Sequence, residues 1–472
     1  MSLIRLMTGT GRVWIPPAVL ISLSLGWARA DRLVAAESVS ASPLHVGISV
    51  VEITPEEDKV HDPLLAKVLF FRQEGCQAAL VVCDQIGVSP GLTAEVRRKA
   101  EEETGMPAAH VAITASHTHT GRAACKDVAQ RLVAAMAQAK AGAGPIRLLS
   151  GTVNQQETIS FNRRYLMKDG TIRFNPGFLN PDIVRPVGPI DPQLGIVLLR
   201  KPDGEKPIAS LVNFALHLDT VGKYTELSAD YPFYLAELLK EALGGDFVSV
   251  FGTGTCGDVN HFDVSRPRQG STGNTGQTML TPYRPKPTTA SPSPLNAPYI
   301  GKALAKTVAA AMPGLKDDVP CLAVRSRTVQ APLAAFSEMD LAWAKEATGG
   351  QMSFLMRVRA GRIRSLESLR AKYGDAMPVE VQVFRLGSNT AVVTLPGEVF
   401  VEHGLAIKRA SPFANTLVIE LANSDEMHYV PTRKAFCEGD YEVVNSRLES
   451  GGGEMMVEAA VGMLNELRAG AK

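Results

Sequence analysis

The stretch HVAITASHTHTGR, residues 110–122, passes from alternating apolar residues to His117 and His119, one position apart, and then to Gly121. The alternation predicts a strand, and in a strand side chains at i and i+2 project from one face. The two imidazoles are therefore expected to look into the same space at a strand end, with Gly121 letting the backbone turn away. Such an end presents a metal ligand beside an acid/base group. It equally suits a plain hydrogen-bonded pair of histidines, so the surrounding chain has to decide.

Outward from this point the pattern is α/β. LAKVLFFRQEGCQAALVVCDQIG (65–87) reads as a hairpin, two apolar runs joined by a polar turn containing Gly75. LTAEVRRKAEEETG (92–105) reads as a helix stopped by Gly105, with Pro107 just beyond, and a long Ala-rich helix follows over roughly 127–140. Further strands are expected at LGIVLLRK, PIASLVNFALH, DFVSVFGTG, VEVQVFRLG, NTAVVTLPG and TLVIELAN. Helices are expected at DYPFYLAELLKEALGG, IGKALAKTVAAAM, the charged stretch 338–373, FVEHGLAIKRA and the C-terminal GEMMVEAAVGMLNELRA. Strands and helices interleave from about residue 45 onward without a linker, which predicts mixed β-sheets flanked by helices in a single large domain over 31–472. Residues 265–298, dense in Pro, Gly, Ser and Thr, are expected to form a long surface loop near the site.

The bulk properties exclude several classes. With 49 basic and 48 acidic side chains the chain carries a formal charge of +1, no electrostatic footprint for nucleic acid. No apolar run reaches the roughly 20 residues of a spanning helix. The N-terminus is distinct: Arg5 and Arg12 precede VWIPPAVLISLSLGW, and Ala28-Arg29-Ala30 follows. This is the pattern of a secretory signal over 1–30, cleaved near Ala30, so the mature protein is expected to be exported, periplasmic or secreted. Export permits disulfides, but the six cysteines allow 15 pairings and none has metal-type spacing, so no pairing is assigned.

Four other stretches repeat the layout of an apolar strand ending in polar or glycine-rich residues. VNFALHLDTVGKY delivers His217, with Asp219 on the same face. SVFGTGTCGDVNHFD surrounds Asp258 and Asn260 with glycines, which let backbone approach a ligand closely. In VVTLPGEVFVEHG, Pro396-Gly397 break the strand and Glu398 is expected at the start of a helix. NSDEMHYVPTRKAFCEGDYE carries Tyr429 and Tyr441 after the last apolar strand. Each of these has a bland reading: a core histidine, a tight turn, a first-turn glutamate, packing tyrosines. Jointly they would converge at one edge of an α/β sheet, where open α/β folds place their sites. Two imidazoles and a carboxylate are also a standard donor set for catalytic zinc with a position left for water.

The ordered set GISVVEITP (47–55), SHTHTG, FNRRY, NFALHLDT, SADYP, CGDVN, LPGEVF, HYVPT and DYE resembles the neutral/alkaline, non-lysosomal ceramidase family of zinc-dependent amidases, over most of the mature chain. The resemblance implies a Zn2+ site of His117, His217, Glu398 and Tyr429. It implies that His119 sits beside the reacting carbonyl, that Tyr441 helps hold the substrate amide, and that Arg163, or the adjacent Arg164, faces the scissile carbonyl. Asp258 is expected to orient one of the imidazoles. Asn260 stands where the family has a serine sometimes proposed as nucleophile. An amide nitrogen cannot take that role, so Asn260 is expected as a hydrogen-bonding residue. Members of the family also carry a C-terminal immunoglobulin-like domain, whereas this chain ends about 30 residues after DYE, and the resemblance is to the amidase domain.

The expected function is hydrolysis of an N-acyl amide, ceramide or a related compound, by a zinc-activated water. The partners implied are a small-molecule or lipid substrate, with peripheral membrane contact if that substrate is a lipid, and neither nucleic acid nor an inferred protein partner. Two rivals are weighed beside it. One is a catalytically silent metal-binding homologue, motivated by Asn260. The other is an amidohydrolase-type barrel acting on a different small substrate, which also opens with HxH on a strand but for which the initial hairpin is the wrong start.

Overall fold

The structure, a computed structural model, describes residues 42–56, 59–221, 225–267, 295–347 and 352–470. The signal expected at 1–30 and most of the loop expected at 265–298 lie outside the described residues. Three sheets carry the fold, and all three follow one plan: an antiparallel body whose last pair, at one edge, is parallel. The first runs Gly144–Pro145, His45–Glu52, Leu65–Gln73, Cys76–Cys83, Val111–Ala115, with the last two strands parallel. The second runs Lys316–Asp318, Arg147–Asn154, Gln193–Arg200, Pro207–Phe214, Val248–Thr253. The third runs Pro320–Pro332, Ala376–Gly387, Thr390–Thr394, Asn415–Ile419.

A parallel pair needs a crossover where an antiparallel one needs only a turn. The hairpin Leu65–Gln73/Cys76–Cys83 closes through Glu74 and Gly75, both at positive φ, the two-residue turn that matches strand twist. The three parallel pairs are bridged instead by the helices Pro90–Thr104, Tyr231–Leu243 and Val401–Ala410. The first of these begins on a Ser89 side-chain cap with Pro90 and ends at left-handed Gly105, as its sequence predicts.

The central strands of the three sheets are largely buried on both faces, and alternation sorts their residues. In the first sheet Ala66, Val68, Phe70, Ala79 and Val81 pack with the helices Pro90–Thr104 and Val128–Ala141. Leu69, Phe71, Leu80 and Val82 point the other way and meet Val197 and Leu199 of the second sheet and Phe384 and Leu417 of the third. The three sheets thus share one central core, with helices outside.

Three of the longer strands went unread in the sequence. His45–Glu52, Arg147–Asn154 and the 13-residue Pro320–Pro332 have weak alternation. The last is an edge strand bounded by prolines, and its middle carries Arg325, Ser326, Arg327 and Thr328, all exposed. The stretch 338–373 is two helices, Glu338–Glu346 and Phe354–Tyr373. The six cysteines are free. Among the described residues, no helix is long and apolar enough to cross a membrane.

The functional consequence lies at the carboxyl ends of the parallel pairs, which meet. The Ala115 N–H donates to Leu421 O (3.1 Å), Glu420 N–H to Thr253 O (2.9 Å) and Leu395 N–H to Ile419 O (2.8 Å). Thr253 Oγ1 donates to Ser116 O (2.7 Å). Segments that are far apart in sequence leave their strands at a single point.

Candidate metal centre

At that point His117, His119 and His217 offer ligand atoms that all lie within 4.8 Å of one another. His117 and His119 meet, with ring centroids 5.0 Å apart, but not as strand neighbours. The strand stops at Ala115, and His117 has φ 74°, in the left-handed region. A non-glycine residue held there is strained, and such strain gathers at functional sites. The turn at His117, and not the strand pleat expected from the alternation, brings the pair together.

Each of two imidazoles is fixed by its outer nitrogen. His117 Nδ1 lies 2.7 Å from Ile86 O and His217 Nδ1 lies 3.2 Å from Cys256 O. With Nδ1–H donating to a carbonyl, Nε2 keeps its lone pair, the tautomer a metal ligand needs. The two Nε2 atoms face each other at 3.0 Å. Glu398 Oε2 lies 3.4 Å from the first and 3.6 Å from the second. Glu398 does not open a helix: it forms a two-residue strand, Glu398–Val399, paired in parallel with Tyr429–Val430, so Glu398 stands beside Tyr429. The helix begins after it, at Val401, with Glu402 in its first turn.

Arg163 closes the group. Its Nη1 lies 3.4 Å from His217 Nε2, Nη2 donates to Gly257 O (2.7 Å), and Nε donates to Glu442 Oε1 (2.9 Å). Its guanidinium stacks over the rings of Phe174 and Tyr429. Arg164 turns away, donating to the other oxygen of Glu442 (2.9 Å) and to Glu438. Of the two candidate arginines, then, Arg163 faces the imidazoles. Tyr441, first residue of the short helix Tyr441–Asn445, packs against Tyr429 and Phe174 at ring distances of 5.4 and 4.6 Å.

The charges are mutually adjusted. Burial opposes a charge on His117, but Glu398 outweighs it and raises the pKa. Burial, and then the charge of His117, lower His119 to about 4 and push His217 far down. Glu398, despite its burial, is held at about 2 chiefly by His117. His119 Nε2 and Glu398 Oε2 are buried without hydrogen-bond partners, although buried polar groups are nearly always satisfied. Two imidazole nitrogens, an unsatisfied carboxylate oxygen and a phenol form a donor set compatible with a metal ion.

One sequence expectation is corrected. Asp258 touches neither imidazole: Oδ1 accepts the N–H of Val401 (2.9 Å) and Oδ2 accepts Asn162 Nδ2 (2.7 Å). It caps the helix Val401–Ala410, which has no side-chain cap from its own Phe400. Asn260 is a hydrogen-bonding residue, donating to Asn175 Oδ1 (3.0 Å) and accepting from Phe262 N (3.1 Å). The orienting role expected of Asp258 belongs instead to two main-chain carbonyls, which leave no trace in side-chain types.

Three buried residues escaped the sequence reading. Glu442 bridges both arginines. Its signal was present, since two adjacent buried cations require a carboxylate. Glu420 Oε2 accepts the N–H of Val399 (2.7 Å) and of Cys256 (3.2 Å), tying together two loops of the site. His261 lies 3.0 Å from Asp219.

No protein-family model matches the chain, and no curated protein sequence matches it. Its fold is similar to that of a solved neutral ceramidase from Pseudomonas aeruginosa, with a TM-score of 0.67 and 17% identity over 91% of this chain and 75% of that one. A solved ceramidase complexed with C2 matches with a TM-score of 0.66, also at 17% identity, over 91% of this chain and 76% of the other. The chain has the neutral-ceramidase fold. At that identity the likeness fixes the architecture, and the chemistry has to be argued from the side chains that converge in it.

Proposed function

We propose that this protein is a zinc-dependent hydrolase that cleaves an N-acyl amide bond, with ceramide or a related N-acyl lipid as substrate. The observation that carries this reading is the pair of Nε2 atoms of His117 and His217, fixed from behind by carbonyls and facing each other beside Glu398 and beneath Arg163. His117, His217, Glu398 and Tyr429 would hold the metal. Bound there, it supplies a Lewis acid that acidifies water and polarises a carbonyl.

The chain's own residues supply the rest. Arg163, clamped by Glu442 and Gly257 O, keeps Nη1 directed at the site, where it donates to the oxygen of a substrate carbonyl as charge develops on it; one such donor is typically worth about 3 kcal/mol. Tyr441, packed against Tyr429 and Phe174, serves as a second donor. His119, held neutral near pH 7 by burial and by His117, accepts a proton and returns it to the leaving amine. The burial of His117, Arg163, His217 and Tyr429 limits bulk water and strengthens each contact.

The test is release of free amine from a panel of N-acyl substrates, ceramides included, by the wild type and by His117→Ala and Glu398→Ala. The wild type is expected to turn over at least one of them, and both variants to lose that turnover by roughly a thousandfold or more. Undiminished turnover in both variants would remove the assignment. On the same reading residues 1–30 direct export, and N-terminal sequencing of the exported protein should begin at Asp31.

A further inference from the structure

A cavity of about 170 Å³ lies between the first sheet and the helix Tyr231–Leu243. Most of its wall is apolar, including Val50, Phe233, Ala236 and Phe247, yet Lys67 and Asp84 both open into it. Strand pairing brings these two together. Lys67 stands opposite Val82, two residues before Asp84, which makes Lys67 and Asp84 diagonal neighbours on the face that carries Leu69 and Phe71. Their charges act on each other at a distance and not through contact. Lys67 Nζ donates to Ser249 O (2.9 Å), and Asp84 Oδ2 accepts the Leu65 N–H (3.0 Å). An ammonium has three donors and a carboxylate several lone pairs, so each keeps capacity for a further partner. Burial weighs on both, lowering the pKa of Lys67 and raising that of Asp84 to about 6.

Glu237 and Lys240, exposed on the helix, add one charge of each sign to the lining. The lining is thus balanced, two cations against two anions, over apolar walls. A simple anion would meet Asp84 and a simple cation would meet Lys67, and either contact costs binding. A ligand that carries both charges and an apolar body satisfies the whole wall. Size narrows it further, since a cavity of about 150 Å³ holds a benzene ring, so roughly six to eight non-hydrogen atoms fit here. We propose that this cavity is a second binding site, for a free α-amino acid with a small aliphatic side chain, its carboxylate on Lys67 and its ammonium on Asp84. The backbone after Asp84 leads to the histidine cluster, with Gln85 O accepting the His117 N–H (2.9 Å), but no proposed metal ligand lines the cavity. The site stands whether or not the chain is an amidase.

The experiment is calorimetric binding of L-valine to the full-length wild type, beside 3-methylbutanoate, which lacks the ammonium, and 2-methylpropylamine, which lacks the carboxylate. The same titrations are made on Lys67→Met, on Ala236→Phe, which fills the cavity, and on His217→Ala. Circular dichroism checks each fold, and with two cavity variants the misfolding of one leaves the other to decide. The wild type should bind valine at least roughly tenfold more tightly than either analogue. That binding should vanish in the cavity variants and persist in His217→Ala. No binding of valine to the wild type, an analogue that binds as tightly, or retention in a folded cavity variant overturns the site. Loss in a folded His217→Ala also overturns it, by placing the amino acid at the histidine cluster.

Discussion

Glu442 is the side chain whose loss should be felt most sharply away from the histidine cluster. Fully buried, it gives one oxygen to Arg163 and the other to Arg164. Glu442→Ala leaves two buried cations facing each other, and breaking such a pair typically costs about 3–5 kcal/mol. Urea unfolding should report a loss of that size, and a loss below about 1 kcal/mol would contradict the clamp. Glu420 makes a different prediction, in pH. Burial raises its carboxyl to about 8 in the folded chain, against roughly 4.3 for an unfolded glutamate. Between those values the folded state binds the extra proton, so stability falls as pH rises, by up to about 1.4 kcal/mol per pH unit. Glu398 and Asp219, both held at about 2, act oppositely, their contribution being lost as pH falls from roughly 4 towards 2. Unfolding free energies measured across pH 6–8 should show the decline in wild type and a shallower one in Glu420→Gln. A flat wild-type profile would contradict it.

At the scale of elements, the site depends on how closely strand ends approach one another. A Cβ on Gly257 would stand 2.5 Å from Glu398 O, so Gly257→Ala must push the loop 254–260 away from the strand Glu398–Val399. About 1–3 kcal/mol of stability should go with it, together with metal affinity; full zinc binding in this variant would show that the contact can relax. Asp258 is testable as a cap supplied from another loop. Asp258→Ala should lower stability by about 1–2 kcal/mol, and Asp258→Asn by less, because the amide oxygen still accepts from Val401. The same scale shows what the sequence could reveal. Long periodic helices and apolar strands were legible, as were four of the residues that converge, because strand-end histidines and the glutamate after Pro396-Gly397 stand out against their surroundings. The left-handed turn at His117 was not, since nothing in Ser-His-Thr-His demands positive φ. Neither was the parallel pairing of Glu398 with Tyr429, a contact between two-residue strands without periodicity of their own.

For the whole molecule, the central core couples the three sheets to the one site. Leu417 is fully buried where the sheets meet, in the strand Asn415–Ile419 that ends beside Glu420. Leu417→Ala should cost about 2–5 kcal/mol and weaken metal binding although Leu417 touches no ligand; loss of stability with unchanged metal affinity would separate core from site. The order of strands within each sheet was not readable from the chain, because which strands pair is decided by contacts across hundreds of residues and not by local pattern. What the sequence did carry was the convergence of carboxyl ends, and this is open to one direct measurement. Elemental analysis of the wild type and of His217→Ala, each exposed to zinc and dialysed, should give about one zinc per chain in the first and almost none in the second, with the variant's circular dichroism unchanged. A wild type that retains no metal, or a His217→Ala that keeps its full complement, would contradict the account.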